Sequence, residues 1–454
     1  MTSPKQLLLQ ALRHEETARA PWVPFAGVHA GKLIGADAQK VLTDEDTLFD
    51  ALMAVNRLYK PDGQPVLFDL QLEAEILGCE LKWATNNPPS VSSHPLEDTM
   101  TVPCECTLPT PEDGRMPMVL NVIRRLKEAV GSQTALFALY CGPFTLASHL
   151  RGNNIFMDMY DDPDYVHELI EFCTRCAEAM TRMYLDAGID VVAAVDPLVS
   201  QISVDHFREF LTKPYERLFK LTRDNGAASS FFVCGDATRN IEPMCETHPD
   251  AIFVDENVNL KAARAITDKY NIALGGNIPL TTVMLFGTQQ DNMRFVVDML
   301  ETDGPYRNVI VAPGCDMPYD VPVENSIGVA QAVLTTREIR QLLKDYVAVE
   351  DDMDVELPDY KNLDKPLVEL FMLDPDSCAA CTYMWLAAEQ VDQTKPGLMT
   401  LKGYRYTTRE GIARTRKMGV KNLPSLYING ELAYSSIIPS QSELEAAIRK
   451  ADKR

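Results

Sequence analysis

Two cysteines that are 81 residues apart end similar apolar runs. Cys234 closes Ser230–Cys234 and is followed by Gly235 and Asp236, and Cys315 closes Asn308–Cys315. Zinc favours thiolate ligands, and a catalytic zinc site leaves one position open for substrate. A thiol bound there loses its proton at neutral pH and becomes a nucleophile. The competing reading is two buried cysteines acting as small apolar side chains. A second pair, Cys378-Ala-Ala-Cys381, lies between a strand-like and a helical segment. A thiol at a helix N-terminus is held toward its reactive thiolate, so this pair reads as a redox dithiol; the alternative is a docking module without thiol chemistry. His29, Asp69, Glu73 and Asp196 are the remaining candidates. They are placed to contact or orient a substrate, or, for the acids, to cap a following helix.

These residues need a frame that brings strand ends together. Between about Pro21 and Pro322 the chain alternates β-rich runs with amphipathic stretches such as Tyr165–Ala187. The runs are Trp22–His29, Val66–Asp69, Ala135–Cys141, Val191–Asp196, Ser230–Cys234, Ala251–Asp255, Ile272–Gly276 and Asn308–Cys315. Alternating β and α segments imply a parallel sheet, and eight of them imply a (β/α)8 TIM barrel with its active site at the C-terminal ends of the strands. His29, Asp69, Cys141, Asp196, Cys234, Asp255 with Glu256, Asn277 and Cys315 are then expected on one face. The α/β tail reads β-α-β-α-β-β-α, with strands at Val368–Leu373, Leu398–Tyr406 and after Pro424, and an Asn429-Gly430 hairpin turn. The expected organisation is a barrel over residues 1–345, an acidic linker over 346–366 and a small domain over 367–454.

The chain has 454 residues with 43 Lys+Arg and 65 Asp+Glu, a net charge of -22. That charge argues against nucleic acid or an anionic membrane as a partner. Residues 368–454 carry 12 Lys+Arg and 10 Asp+Glu, or +2, leaving 31 and 55, or -24, for the rest. The step falls at the expected linker. The longest apolar runs are strand-length, far short of a membrane span, and the first helix is followed at once by Arg13, His14 and Glu15, unlike a secretion signal. Eleven cysteines without a small-domain framework read as free thiols, metal ligands or a redox pair in a reducing cytoplasm.

The barrel part resembles the uroporphyrinogen decarboxylase superfamily, in particular its corrinoid-dependent branch, the methylcobamide:coenzyme M methyltransferases. The resemblance is carried by Phe25-Ala-Gly-Val-His-Ala-Gly-Lys32, Phe68-Asp-Leu-Gln-Leu-Glu73, Gly142-Pro-Phe-Thr145, Asp196-Pro-Leu-Val-Ser200, Val233-Cys-Gly-Asp236, Val254-Asp-Glu-Asn257, Gly275-Gly-Asn-Ile-Pro279 and Ala312-Pro-Gly-Cys-Asp-Met-Pro318. It implies a zinc site of a His-x-Cys pair plus a distant Cys. Cys234 and Cys315 match the two cysteines, but Phe232 stands at the histidine position. Asp236, Glu256, His29 and Glu73 are then candidate replacement ligands, and Cys234, Cys315 and Glu256 form the expected metal set. The decarboxylases instead grip their substrate through an Arg-Gln-Ala-Gly-Arg stretch, for which this chain has Phe-Ala-Gly-Val-His-Ala-Gly-Lys.

The tail resembles the thioredoxin/glutaredoxin family through Cys378, Cys381 and Leu423-Pro424. Together the resemblances imply a cytoplasmic methyltransferase with Cys378, Cys381, His29 and Asp196 as catalytic candidates and zinc as cofactor. The corrinoid would arrive on a partner protein, because no Asp-x-His-x-x-Gly corrinoid-binding signature is present. A small methyl donor or thiol acceptor is the expected substrate, and a thiol-disulfide partner is expected for the tail. Tetrapyrrole decarboxylation and a non-catalytic redox partner of a corrinoid system are the alternatives.

Overall fold

The computed structural model describes residues 2–347, 353–373, 379–435 and 438–452. The chain divides into two compact units, Met1–Ala348 and Val349–Arg454.

The first unit is built on a parallel sheet of seven strands that neighbour one another in sequence order: β1 (Gly63–Pro65), β2 (Ala135–Cys141), β3 (Val191–Val195), β4 (Ala228–Val233), β5 (Ala251–Val254), β6 (Ala273–Ile278) and β7 (Val309–Pro313). The two edges of this sheet hydrogen bond to the same short segment. On the β7 side, Val23 donates to Val311 O at 3.0 Å and Val311 donates to Pro21 O at 2.8 Å; on the β1 side, Asp62 donates to Trp22 O at 2.9 Å. The arrangement is a TIM-like barrel. The run expected as a strand over Trp22–His29 contributes one parallel bridge, Trp22 to Val311. Pro21 and Pro24 have no N–H to give to a ladder, and Gly27 turns the chain with φ +33°. The strand expected at Val66–Asp69 lies earlier, at Gly63–Pro65.

Inward-facing positions follow the two-residue period of a strand. Phe137 and Leu139 of β2, Val191, Ala193 and Val195 of β3, Phe232 of β4, Ala251 and Phe253 of β5, and Ile310 and Ala312 of β7 form one buried cluster with Val23, Phe25 and Phe68. The barrel is therefore filled by side chains up to the level of Cys234 and Cys315, which pack against its upper edge.

The second unit has a four-stranded sheet in the order β9 (Thr400–Arg405), β8 (Leu367–Met372), β10 (Ser425–Ile428), β11 (Glu431–Ser435). Strand β8 pairs parallel to β9 and antiparallel to β10, and β10 pairs antiparallel to β11. Helices Ala379–Thr394, Arg409–Lys417 and Gln441–Ala451 complete the β-α-β-α-β-β-α order expected from the sequence. Val368, Leu370, Met384, Val391, Leu426, Leu444 and Ile448 form the core. The Leu423–Pro424 peptide is cis. Glu369 on β8 is fully buried and paired with Arg414, and it accepts a hydrogen bond from Tyr360 Oη at 2.7 Å.

Candidate functional site

The C-terminal ends of the barrel strands gather Cys234, Cys315 and several carboxyls. Strands β4 and β7 end one residue and two residues before their cysteines, which brings the two Cα atoms to 5.8 Å. Both cysteines are half-buried. Their sulfurs are joined as a disulfide, so the expected pair of metal-binding thiolates is replaced by a bond between its members. Beneath them, Phe232 is fully buried, and its ring centroid lies 4.7 Å from that of Phe25, 5.7 Å from Phe253 and 5.8 Å from Phe68. This position shares the inward face with Cys234, and it holds an aromatic floor where a ligand was needed. Among the described residues no group of three or more His, Cys, Asp or Glu is placed to hold a metal ion. A zinc site does not fit the residues gathered here.

Glu256, expected as the third ligand, follows β5, and its Oε2 accepts from the Leu280 N–H at 2.5 Å. Burial, with the Asp255 carboxylate adding to it, pushes its carboxyl up to about 8. Of the other candidate replacements, Asp236 caps its own turn, accepting from Thr238 N at 3.1 Å and Thr238 Oγ1 at 2.6 Å.

His29 lies in a short helix, His29–Lys32, rather than at a strand end, and it is fully buried. Its Nδ1 is 2.9 Å from Tyr319 O, which can only accept, so Nδ1 carries the proton. Nε2 then accepts from Tyr59 Oη at 2.7 Å. Burial lowers its pKa to about 4. Both ring nitrogens tie this turn to neighbouring segments.

Asp196 does sit at a strand end, fully buried. Its Oδ1 accepts from Thr145 N at 2.9 Å and Thr145 Oγ1 at 2.5 Å, and its Oδ2 from Phe144 N at 3.0 Å and Tyr215 Oη at 2.5 Å. Phe144 and Thr145 open the helix Pro143–Arg151, whose N-cap Gly142 has no side chain to offer. A Cβ at Gly142 would come within 2.3 Å of Asp196 Cβ. The glycine and the carboxylate therefore form one capping unit across two strands.

Two further acids lie near the mouth. Glu73 is fully buried; its Oε1 accepts from Cys141 N at 2.9 Å, its Oε2 has no partner, and burial pushes it up to about 8. Asp316 was not singled out from the sequence, although it directly follows Cys315. Its carboxylate lies over Gly27, where a Cβ would come within 1.9 Å of Oδ1, and that oxygen is buried without a partner. Burial pushes this carboxyl well up. Asp69, by contrast, is paired with Arg115 at 2.5 Å. The strand ends thus carry a two-sulfur centre and, on neighbouring turns, carboxyls held toward their neutral form.

In the second unit, Cys378 lies outside the described residues. Cys381 is buried in the core of that unit, and its Sγ accepts from the Leu373 N–H at 3.4 Å.

Comparison with known proteins agrees with the fold. The profile of the uroporphyrinogen decarboxylase (URO-D) family matches residues 3–335. The methylcobamide:CoM methyltransferase MtbA of Methanosarcina acetivorans is 26% identical over 330 residues, 71% of this chain and 95% of the relative. Its namesake from Methanosarcina mazei is 28% identical over 298 residues, 64% of this chain and 86% of the relative. A solved methyltransferase from Methanosarcina mazei superposes with a TM-score of 0.67 at 23% identity, covering 74% of this chain and 99% of that one. No helix among the described residues is long and apolar enough to cross a membrane.

Proposed function

The chain belongs to the uroporphyrinogen decarboxylase family, and from that premise we propose that it transfers a methyl group between a corrinoid, brought by a partner protein, and a small thiol or other methyl donor or acceptor. The carrying observation is the meeting of Cys234 and Cys315 at the mouth of a barrel whose curated relatives include methylcobamide:CoM methyltransferases. The net charge of -22 supports the same choice, because an acidic protein repels a substrate as rich in carboxylates as a tetrapyrrole.

The mouth works in its dithiol state. Reduction of the disulfide consumes two electrons and two protons from a dithiol reductant and leaves two thiols above the Phe232 floor. A small substrate thiol, as its thiolate, would then take the methyl group at the two-sulfur mouth, with the partner-borne corrinoid keeping the electron pair of the broken cobalt–carbon bond. Glu256, whose carboxyl sits at about 8, would take the thiol proton in its ionised form. No step is routed through zinc.

A thioredoxin-like reading of the second unit, with Cys378 and Cys381 as its dithiol, is supported by the strand order and the parallel β8–β9 pair. By its chemistry it is a candidate source of the reducing equivalents.

The test is anaerobic incubation of reduced protein with methylcobalamin and a panel of thiols including coenzyme M, following the cobalamin spectrum and the methyl thioether. Methyl transfer that is lost in Cys234→Ser and in Cys315→Ser is expected. Release of carbon dioxide from uroporphyrinogen, with no demethylation of methylcobalamin, would refute the proposal.

A further inference from the structure

Ten of the eleven cysteines belong to the described residues. Cys79, Cys141, Cys173, Cys176, Cys245 and Cys381 are buried, and Cys234 is bonded to Cys315. Only Cys104 and Cys106 are both exposed and outside a disulfide. They stand two residues apart in Pro103-Cys-Glu-Cys-Thr-Leu-Pro109, a segment closed by proline at each end.

The loop is held in one shape by its own backbone. Thr107 donates to Cys104 O through N at 2.9 Å and through Oγ1 at 2.7 Å, and Leu108 N donates to Glu105 O at 3.2 Å. The intervening Glu105 points to Arg175, with which it forms an ion pair. Cys106 N–H donates to Cys104 Sγ at 3.3 Å. A hydrogen bond from the Cys106 thiol holds the Cys104 thiol below its ordinary value, and the same contact raises Cys106. Both thiols therefore belong to one turn, closed by the Cys106 N–H on Cys104 Sγ. Serine would cap this turn as well as cysteine, and neither sulfur contributes to a core, so the fold gives no reason for two thiols.

We infer that Cys104 and Cys106 form a bidentate surface site for a soft, thiophilic metal or metalloid centre, separate from the barrel mouth. Soft acceptors select thiolate pairs, and the closed turn removes most of the entropy that a flexible pair loses when it chelates. With a trivalent arsenical the reaction balances without electron transfer: two S–H bonds break, two As–S bonds form, and the arsenic-bound oxygen leaves as one water.

The probe is phenylarsine oxide, added to reduced full-length protein before a brief maleimide treatment. Labels are assigned by peptide mass spectrometry, so that the Cys234/Cys315 and Cys378/Cys381 pairs are read separately. One equivalent is expected to protect Cys104 and Cys106 together, with protection reversed by 2,3-dimercaptopropanol. Cys104→Ser and Cys106→Ser are each expected to weaken binding at this loop by at least about 100-fold, the loss of an intramolecular second contact, with melting unchanged. Labelling of both thiols at the unprotected rate would overturn the inference. So would a single-serine variant that binds the arsenical at this loop as tightly as the wild type.

Discussion

Asp196 offers the sharpest test of the site's anatomy, because a strand-end aspartate in a barrel mouth invites a catalytic reading. The structure gives it four donors: Phe144 N, Thr145 N, Thr145 Oγ1 and Tyr215 Oη. Asp196→Ala leaves both backbone N–H groups at the start of helix Pro143–Arg151 and the tyrosine hydroxyl buried without the carboxylate. Each such loss costs about 1–3 kcal/mol, and disruption of a buried charged network costs about 3–5 kcal/mol in all. Unfolding entropy of about 2.1 cal/mol/K per residue over Met1–Ala348 gives roughly 0.7 kcal/mol/K. The melting transition of that unit is therefore expected to fall by about 4–7 °C. Asp196→Asn keeps one acceptor oxygen and lets the tyrosine hydroxyl rotate, but its amide group faces Phe144 N–H, so about half the loss is expected. Calorimetry of the full chain, which separates transitions of the two units, measures this, and methyl-transfer rates below the transition report catalysis. An Asp196→Asn protein that melts like the wild type while its turnover falls 100-fold would refute the capping assignment.

Glu73 supplies a pH dependence. Its folded-state value of about 8 lies above the ordinary 4.5, so its contribution is fully present below about pH 4.5 and is lost as pH rises through 8. Glu73→Gln should match the wild type at pH 5 and exceed it at pH 9 by a few kcal/mol at most, measured by denaturant titration at both pH values; equal stabilities at pH 9 would show that the carboxyl ionises freely. Phe232→Ala removes a ring packed against Phe25, Phe68 and Phe253 and should cost about 3–5 kcal/mol. Phe232→His places an imidazole two residues below Cys234: the reduced variant is expected to retain about one zinc per chain by elemental analysis where the reduced wild type retains none. One zinc in the wild type would restore the metal site that its residues do not fit. Arg414→Met strands Glu369 without its cation in the core of the second unit and should lower the stability of that unit by about 3–5 kcal/mol, read as an earlier melting transition of that unit with the transition of the first unit in place.

Much of the frame was legible because strand burial writes itself into composition. Parallel strands covered on both faces appear as apolar runs, and the seven barrel strands fall in or beside the segments so identified. The run Trp22–His29 gave only a single bridge for a reason visible in the sequence, Pro24 within it and Pro21 just before it, neither of which has a ladder donor. The tail's element order was likewise legible, because the Asn429-Gly430 turn and Pro424 mark their own positions.

Sequence alone placed Cys234 and Cys315 at strand ends and set Phe232 on the same face as Cys234, because a strand repeats every two residues. It did not determine what those side chains meet. The 5.8 Å approach of cysteines separated by 81 residues depends on the curvature of the whole sheet. Asp196 as a cap, His29 as a tie between Tyr59 and Tyr319, and Asp316 over Gly27 each depend on a partner that is distant in sequence. The types and faces of these residues were fixed locally by strand periodicity, whereas their chemistry was decided by neighbours that only closure of the barrel supplies.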